Sequence, residues 1–97
     1  MNEDQFRQRA LEQGYGDLQA KDYVPNNDGA LHTHDFSVML LVVEGQFTLG
    51  FEDGSTSFQP GQLCELAANV RHTERAGPVG AKVLLAKRAG VALTAAS

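Results

Sequence analysis

The alternation of apolar and polar residues near the start of the chain predicts one short helix. Phe6 and Ala10 are spaced one helical turn apart within residues 3–13, so they fall on one face. Asn2 is a favourable N-cap residue, and Gly14 is well placed to end the helix. Because the apolar stripe is narrow, we expect the helix to be stable only when it packs against the rest of the chain.

From residue 17 onward the pattern changes to short runs with strand character, separated by residues typical of turns. The turn signals are Asn27-Asp28-Gly29, Glu44-Gly45, Asp53-Gly54, Pro60-Gly61 and Gly77-Pro78. The predicted strands are Leu18–Val24, Leu31–Val43, Gln46–Glu52, Thr56–Gln59, Leu63–Ala67, Arg71–Arg75 and Ala81–Lys87. Many short strands at this spacing predict an all-β sandwich or barrel, and Asp53-Gly54 is the strongest hairpin signal.

The run from Phe36 to Val43 is apolar on both faces of its predicted strand. One face carries Phe36, Val38, Leu40 and Val42, and the other carries Ser37, Met39, Leu41 and Val43. A barrel interior can cover the first face, so the N-terminal helix or a second subunit must cover the other. Since twofold pairing is the commonest form of assembly, the sequence predicts a homodimer.

Composition excludes several classes of protein. The 97 residues suit one domain, and the net charge of −4 with scattered Lys and Arg argues against a nucleic-acid-binding protein. The charged N-terminus does not resemble a secretory signal, and the longest apolar run, Val38–Val43, is too short to span a bilayer. We therefore expect a soluble, cytoplasmic protein. Cys64 is the only cysteine, which excludes an internal disulfide and suggests a small buried apolar residue.

The three histidines are the candidate metal ligands. His32 and His34 are two residues apart in a predicted strand, so both imidazoles point to the same side, about 7 Å apart along the chain. His72 lies at the start of a predicted strand far away in sequence, and a barrel can bring such strands into contact. Neutral imidazole is a common metal ligand, so the sequence predicts a three-histidine metal site.

The histidines and their neighbours resemble the two motifs of the cupin family. His32-x-His34 followed by Gly45 has the spacing of the first motif, and Gly61, with Asn69-x2-His72 after it, has that of the second. Asn26 and Asn69 stand where the family has glycines, and asparagine is a good substitute where φ is positive. The resemblance implies a jelly-roll barrel whose histidines bind a divalent metal.

The glutamate of the first cupin motif is absent. Val38 occupies its position and is expected to face the site, where valine cannot bind a metal. Asp35 should face the opposite side of the strand. Glu65 is the one candidate for an inward carboxylate, either as a ligand or as a catalytic acid or base, although a solvated position is the simpler reading. Glu74 is interpreted with Arg71 and Arg75 as part of a polar rim.

Together these observations predict an all-β protein, a single jelly-roll β-barrel with a short N-terminal helix. The predicted parts are the helix over residues 1–14, the barrel over 15–90 and a frayed tail over 91–97. The predicted function is that of a small-molecule-binding metalloprotein whose divalent transition metal (Zn, Ni, Fe, Cu or Mn) is bound by His32, His34 and His72. A metal-dependent oxygenase, isomerase or lyase acting on a small polar substrate, and a metal-free binding or structural barrel, remain alternatives. Nucleic-acid and membrane partners are not expected.

Overall fold

The computed structural model describes residues 1–26 and 29–89. Its elements in chain order are α1 (Glu3–Glu12), β1 (Gly16–Tyr23), β2 (Phe36–Phe51), β3 (Gly54–Phe58), β4 (Leu63–Leu66) and β5 (Thr73–Ala89). The strands form one antiparallel sheet in the order β1-β5-β2-β3, and β4 also pairs with β2. The predicted all-β architecture with one N-terminal helix is confirmed. Two residues of a predicted turn, Asn27 and Asp28, lie outside the described residues, and so does the predicted tail over 91–97. The part of the chain that the structure describes contains no helix long and apolar enough to cross a membrane.

The helix α1 packs on the outer face of the sheet. Asn2 accepts a hydrogen bond from the Gln5 backbone N–H, and the Gln5 side chain accepts one from the Asn2 N–H, which completes a capping box. Phe6, fully buried, belongs to a cluster that includes Met39 and Leu41 of β2. The helix therefore covers the apolar face on which the homodimer prediction was based. That prediction stays untested by the single chain.

Two long strands, β2 and β5, pair with each other along most of their lengths. The predicted turns at Glu44-Gly45 and Gly77-Pro78 are wrong, because the chain stays in these strands and only the pairing register shifts between Val42 and Phe47. Gly45 and Gly80 both have positive φ, 78° and 81°. A Cβ on Gly45 would collide with the Gly80 carbonyl oxygen, so a close backbone approach explains this glycine.

The irregularity in β2 and β5 changes which residues face the interior. In β2 the inward residues are Val38, Leu40 and Val42 before the shift, but Phe47 and Leu49 after it. In β5 the inward residues likewise pass from Ala76 to Ala81, Val83 and Leu85. A bulge inserts residues without ending the strand. The inward residues therefore change from even-numbered to odd-numbered positions, but all of them still line the same core.

The predicted hairpin is confirmed, with its turn one residue earlier than the Asp53-Gly54 signal. Phe51 of β2 pairs with Gly54 of β3, so the connection is the two-residue turn Glu52-Asp53. Phe47 of β2 is fully buried, and Phe51 and Phe58 pack partly buried against the same cluster.

The Cys64 thiol lies in this inner core and should react slowly with thiol reagents. Burial, followed by the negative charges of Glu65 and Glu74, raises the pKa of Cys64 to about 12. Because the thiolate is the reactive form, we expect modification by a chromogenic disulfide at pH 8 to be more than about tenfold slower in the native protein than in denaturant. Equal rates in both conditions would show that the thiol is accessible.

Candidate metal centre

The segments that precede β2 and β5 hold two of the histidines against each other. His32 and His72 form an antiparallel bridge in which each backbone N–H donates to the other's carbonyl, at 2.9 and 3.0 Å. Side chains of directly opposed residues in such a pair lie on the same face. Their ring centroids are accordingly 4.4 Å apart. Distant parts of the sequence thus meet at one point of the barrel.

Two asparagines shape the turns that lead into these segments. Asn26 and Asn69 have φ of 58° and 66°, as the predicted replacement of glycine requires. The Asn69 backbone N–H donates to the His34 carbonyl at 2.7 Å, and that of Asn26 donates to the Gly77 carbonyl at 3.0 Å. Each turn therefore ties one histidine-bearing region to its neighbour.

His34 completes the group of three imidazoles. Its ring centroid lies 4.8 Å from that of His72 and 5.4 Å from that of His32. The ring stacks on Phe36 at 4.4 Å, which fixes its plane. Its Nδ1 is buried without a hydrogen-bond partner. Burial, followed by the charges of His72 and His32, lowers the pKa of His34 below its usual value, so the neutral form is favoured.

A fourth group, the Glu74 carboxylate, joins the histidines, and the sequence interpretation of this residue as rim was wrong. One ligand atom from each of these four residues lies within 4.8 Å of all the others. Glu74 Oε1 is 2.9 Å from His32 Nε2 and 3.6 Å from His72 Nε2. The signal was present in the sequence, because His72-x-Glu74 has the same two-residue spacing as His32-x-His34.

The hydrogen bonds of the rings show which nitrogens face the centre. His32 Nδ1 lies 2.7 Å from the Ala30 carbonyl, and His72 Nδ1 lies 2.8 Å from the Val70 carbonyl. A carbonyl oxygen can only accept, so in each ring Nδ1 carries the hydrogen and the neutral ring has a lone pair on Nε2. These lone pairs converge on a carboxylate oxygen that is also an acceptor. A proton on His32 Nε2 would turn the contact between His32 and Glu74 into a hydrogen bond. His72 Nε2, which is buried, would still have no hydrogen-bond partner.

Such a set of donor atoms fits a metal cation. Backbone carbonyls that fix the ring tautomer are characteristic of metal-binding histidines. A cation among the four groups would give His72 Nε2 the partner that it lacks. His32, His34, His72 and Glu74 are therefore chemically suited to hold one ion.

Tyr23 of β1 supports the carboxylate from the other side. Its hydroxyl donates to Glu74 Oε2 at 2.6 Å, which leaves Oε1 directed toward the imidazoles. Burial acts to raise the pKa of Glu74, but the Tyr23 hydrogen bond and the positive charges of Lys21, His32 and His72 outweigh it, so the pKa is lowered. Burial, with the hydrogen bond to Glu74 and its charge, raises the pKa of Tyr23. At neutral pH the pair is an ionised carboxylate and a neutral phenol.

Removal of the Tyr23 hydroxyl should weaken metal binding without abolishing it. Groups that orient a ligand typically contribute about 10- to 100-fold to metal affinity. We expect Tyr23→Phe to lower zinc affinity near the lower end of that range, because the phenyl ring keeps its contact with Phe47. Competition with a chromogenic chelator measures the change. Unaltered affinity would mean that Tyr23 does not position the carboxylate.

Comparison with known proteins relates this architecture to solved structures rather than to sequence families. No family model matches the chain, and no curated protein does. A cupin-2 domain protein from Shewanella frigidimarina superposes with a TM-score of 0.64 at 19% identity, covering 74% of this chain and 68% of that chain. A protein of unknown function from Rhizobium leguminosarum gives 0.65 at 16%, covering 92% and 97%. The chain has the cupin fold. A predicted oxalate decarboxylase from Thermotoga maritima, with 0.64 at 12% and coverage of 84% and 73%, shares this fold.

Within the cupin fold, the remaining predicted positions are placed as follows. Val38 lines the cavity beside the histidines, as expected, and Asp35 is exposed and outside the cluster. Glu65 is exposed and pairs with Met39, whose side chain lies in the outer cluster. Glu65 is therefore the solvated strand residue of the simpler reading and not an inward carboxylate. Cys64, next to it, packs in the inner core, so Glu65 must point outward.

The cluster of three histidines and Glu74 lies in the wall of a cavity of about 450 Å³ inside the cupin barrel. This volume is in the range typical of sites for small molecules. Its apolar lining comes from the core strands and includes Phe36, Val38, Leu40, Leu66 and Leu85. The cavity therefore offers a mainly apolar surface with the four candidate ligands on one side.

Proposed function

We propose that the protein binds a small molecule in its barrel with the help of one divalent metal ion. His32, His34, His72 and Glu74 would hold the ion. The observation that carries the proposal is the convergence of unpaired lone pairs, above all on the buried His72 Nε2, toward one carboxylate oxygen. Unpartnered polar atoms in a core are costly, and a bound cation removes this cost.

The donor set favours a transition ion of borderline softness. Three imidazole nitrogens and one carboxylate oxygen suit Zn, Ni, Cu or Fe, and Mn less well, whereas Mg and Ca prefer oxygen ligands. Val38 supplies no ligand at the position of the usual cupin glutamate, so Glu74 would provide the carboxylate instead. When bound, the ion would supply Lewis acidity and an attachment point for a polar group of the ligand.

A metal-dependent enzyme remains the second candidate, but the titratable groups support binding more strongly. An acid–base catalyst works best with a pKa near the working pH. At the site, the pKa of Glu74 is lowered and that of Tyr23 is raised, so both are displaced away from neutrality. Glu65, the candidate acid or base of the sequence analysis, is exposed on the outer face. Among the described residues, these features favour a ligand-binding role.

Calorimetric titration of the chelated full chain with zinc, nickel, manganese and magnesium tests the proposal. One zinc or nickel ion per chain is expected, with weaker manganese binding and no magnesium binding at matched concentration. No heat with any transition ion would favour the metal-free barrel.

Metal affinity should fall as the pH decreases. A protonated imidazole cannot bind a metal, and the imidazole pKa is about 6.5 in model peptides. Because the pKa of His34 is lowered, this ligand stays neutral somewhat below that pH, and Glu74 stays ionised. We therefore expect zinc affinity to be nearly constant from pH 7 to 8 and to decrease steeply below about pH 6.

The metal-free protein should also become less stable as the pH decreases, in the same direction as its metal affinity. A lowered folded-state pKa means that the unfolded chain binds more protons, so unfolding becomes easier as the pH falls below the unfolded value of His34 and later of Glu74. Chelator competition and urea unfolding at several pH values measure the two effects. An affinity that rises on acidification would contradict the histidine site.

A further inference from the structure

The cavity is positively charged although the chain as a whole is acidic. The charged residues that line it, apart from the titratable histidines, are Lys21, Lys87 and Glu74. The net charge of the protein is −4, so a cavity with two ammonium groups and one carboxylate differs in sign from the molecule. The one carboxylate is already engaged by Tyr23 and the histidines. The ammonium group of Lys87 therefore remains to attract an anion into the barrel, and that of Lys21 adds to the positive charge of the cavity.

The environment of Lys87 suggests a binding role. Lys87 is half-buried on β5, and its Nζ lies 4.9 Å above the centre of the Phe36 ring, which itself stacks on His34. Among residues 1–26 and 29–89 its ammonium has no hydrogen bond or ion pair. A half-buried ammonium that rests on an aromatic face keeps three donors available for a ligand.

Lys21, on the neighbouring strand β1, places a second ammonium at the same cavity. It lies two residues before Tyr23 on β1, and its Nζ is 4.8 Å from the centre of the Tyr23 ring. Thus each lysine rests on an aromatic ring that also contacts one of the candidate metal ligands. The cavity thus combines two ammonium groups with an apolar surface that includes Leu40, Leu66 and Leu85.

We propose that the ligand is a small organic acid, whose carboxylate is bound by Lys87 while its apolar part contacts the leucines, and Lys21 adds positive charge at the same cavity. This inference deepens the proposed small-molecule function and rests on it, but it does not require the metal. A carboxylate accepts charge-assisted hydrogen bonds from ammonium groups, and the cavity volume of about 450 Å³ accommodates a short acyl chain.

Binding of hexanoate, with hexanamide as its neutral isostere, tests the proposal. Both are titrated into chelated and zinc-loaded full-length protein and followed by backbone amide chemical shifts. We expect hexanoate to bind in both forms, hexanamide to bind about tenfold more weakly, and Lys87→Met to cause a similar loss, as for a hydrogen bond between charged groups. Lys87→Arg should retain binding. Lys82→Met is the matched control, because Lys82 is exposed on the same strand and does not line this cavity.

The outcomes separate this inference from the metal site. Lysine-dependent hexanoate binding in a protein that takes up no zinc would support the organic-acid ligand and reject the metal. Equal binding of hexanoate and hexanamide would overturn the inference. So would hexanoate binding that needs zinc and is unchanged by Lys87→Met, since the anion would then be a metal ligand only. Loss of binding in the Lys82→Met control would equally count against the lysine pair.

Discussion

Replacement of His72 by alanine is expected to abolish tight metal binding. His72 is the most buried of the four candidate ligands, with 1% of its surface exposed, and its Nδ1 is held by the Val70 carbonyl. Four-ligand zinc sites in small proteins bind with about 10–16 kcal/mol, so the loss of one well-oriented imidazole should lower zinc affinity by roughly 100-fold or more. Competition titration with a chromogenic chelator measures the difference.

The control for this variant is Arg71→Ala. Arg71 is adjacent in sequence but exposed, and its ion pair with Glu52 at 3.4 Å is on the surface. The Arg71→Ala protein should bind zinc with wild-type affinity. Because His72 is buried, each variant is first compared by circular dichroism and urea unfolding in chelator. A folded His72→Ala protein with wild-type zinc affinity would show that this imidazole is not a ligand.

Replacement of Glu74 by glutamine should distinguish Glu74, which lies beside the histidines in the structure, from Glu65, the candidate carboxylate of the sequence analysis. The amide keeps the shape of the side chain but removes the negative charge at Oε1, which lies between His32 and His72. We expect zinc affinity to fall by about 10- to 100-fold, less than for loss of an imidazole because a neutral oxygen donor remains. Glu65→Gln is the matched control and should have no effect, since Glu65 is exposed on the outer face.

The Glu74 variant has a second readout in protein stability. Without metal, Glu74→Gln removes the negative charge that the Tyr23 hydrogen bond and Lys21 stabilise, so at neutral pH the variant should be less stable than the wild type. The difference should narrow as the pH falls and the wild-type carboxylate becomes protonated. If Glu65→Gln weakened zinc binding and Glu74→Gln did not, the assignment of the carboxylate would be reversed.

The histidine cluster was predictable from sequence because it depends on local spacing and on recognisable turns. His32-x-His34 gives a shared face in a strand irrespective of the rest of the fold. Asn26 and Asn69 identify the turns by their tolerance of positive φ, and the structure confirms both. These features require only the conformational preferences of individual residues.

The carboxylate and the cavity lysines were harder to predict because they depend on bulges. Glu74 was assigned to the rim together with its exposed neighbours, although its spacing from His72 indicated the same face. Lys87 faces inward only because the register shifts in β5 between Ala76 and Ala81. Glycine-containing dipeptides that predict turns occur equally at bulges, so periodicity alone could not distinguish a continuous strand from two strands.

The placement of Glu65 illustrates the same difficulty. Cys64 and Leu66 are apolar, and the sequence did not show whether the surface that they pack against is the inside or the outside of the barrel. The strand β2 is apolar on both faces because α1 covers one of them, through Phe6 and Ala10. Pairing of Leu40 with Cys64 settles the orientation, and this long-range contact could not be deduced from the local pattern.

The most direct test of the metal centre is long-range nitrogen correlation spectroscopy of the histidine rings, with and without one equivalent of zinc. The chain has only three histidines, so each ring can be assigned by single substitution. Zinc is expected to move the Nε2 resonance of His72 from the position of a bare nitrogen toward that of a metal-bound one. Its Nδ1 should remain protonated on the Val70 carbonyl. Ring resonances of His32, His34 and His72 that stay unchanged while zinc binds would contradict the site.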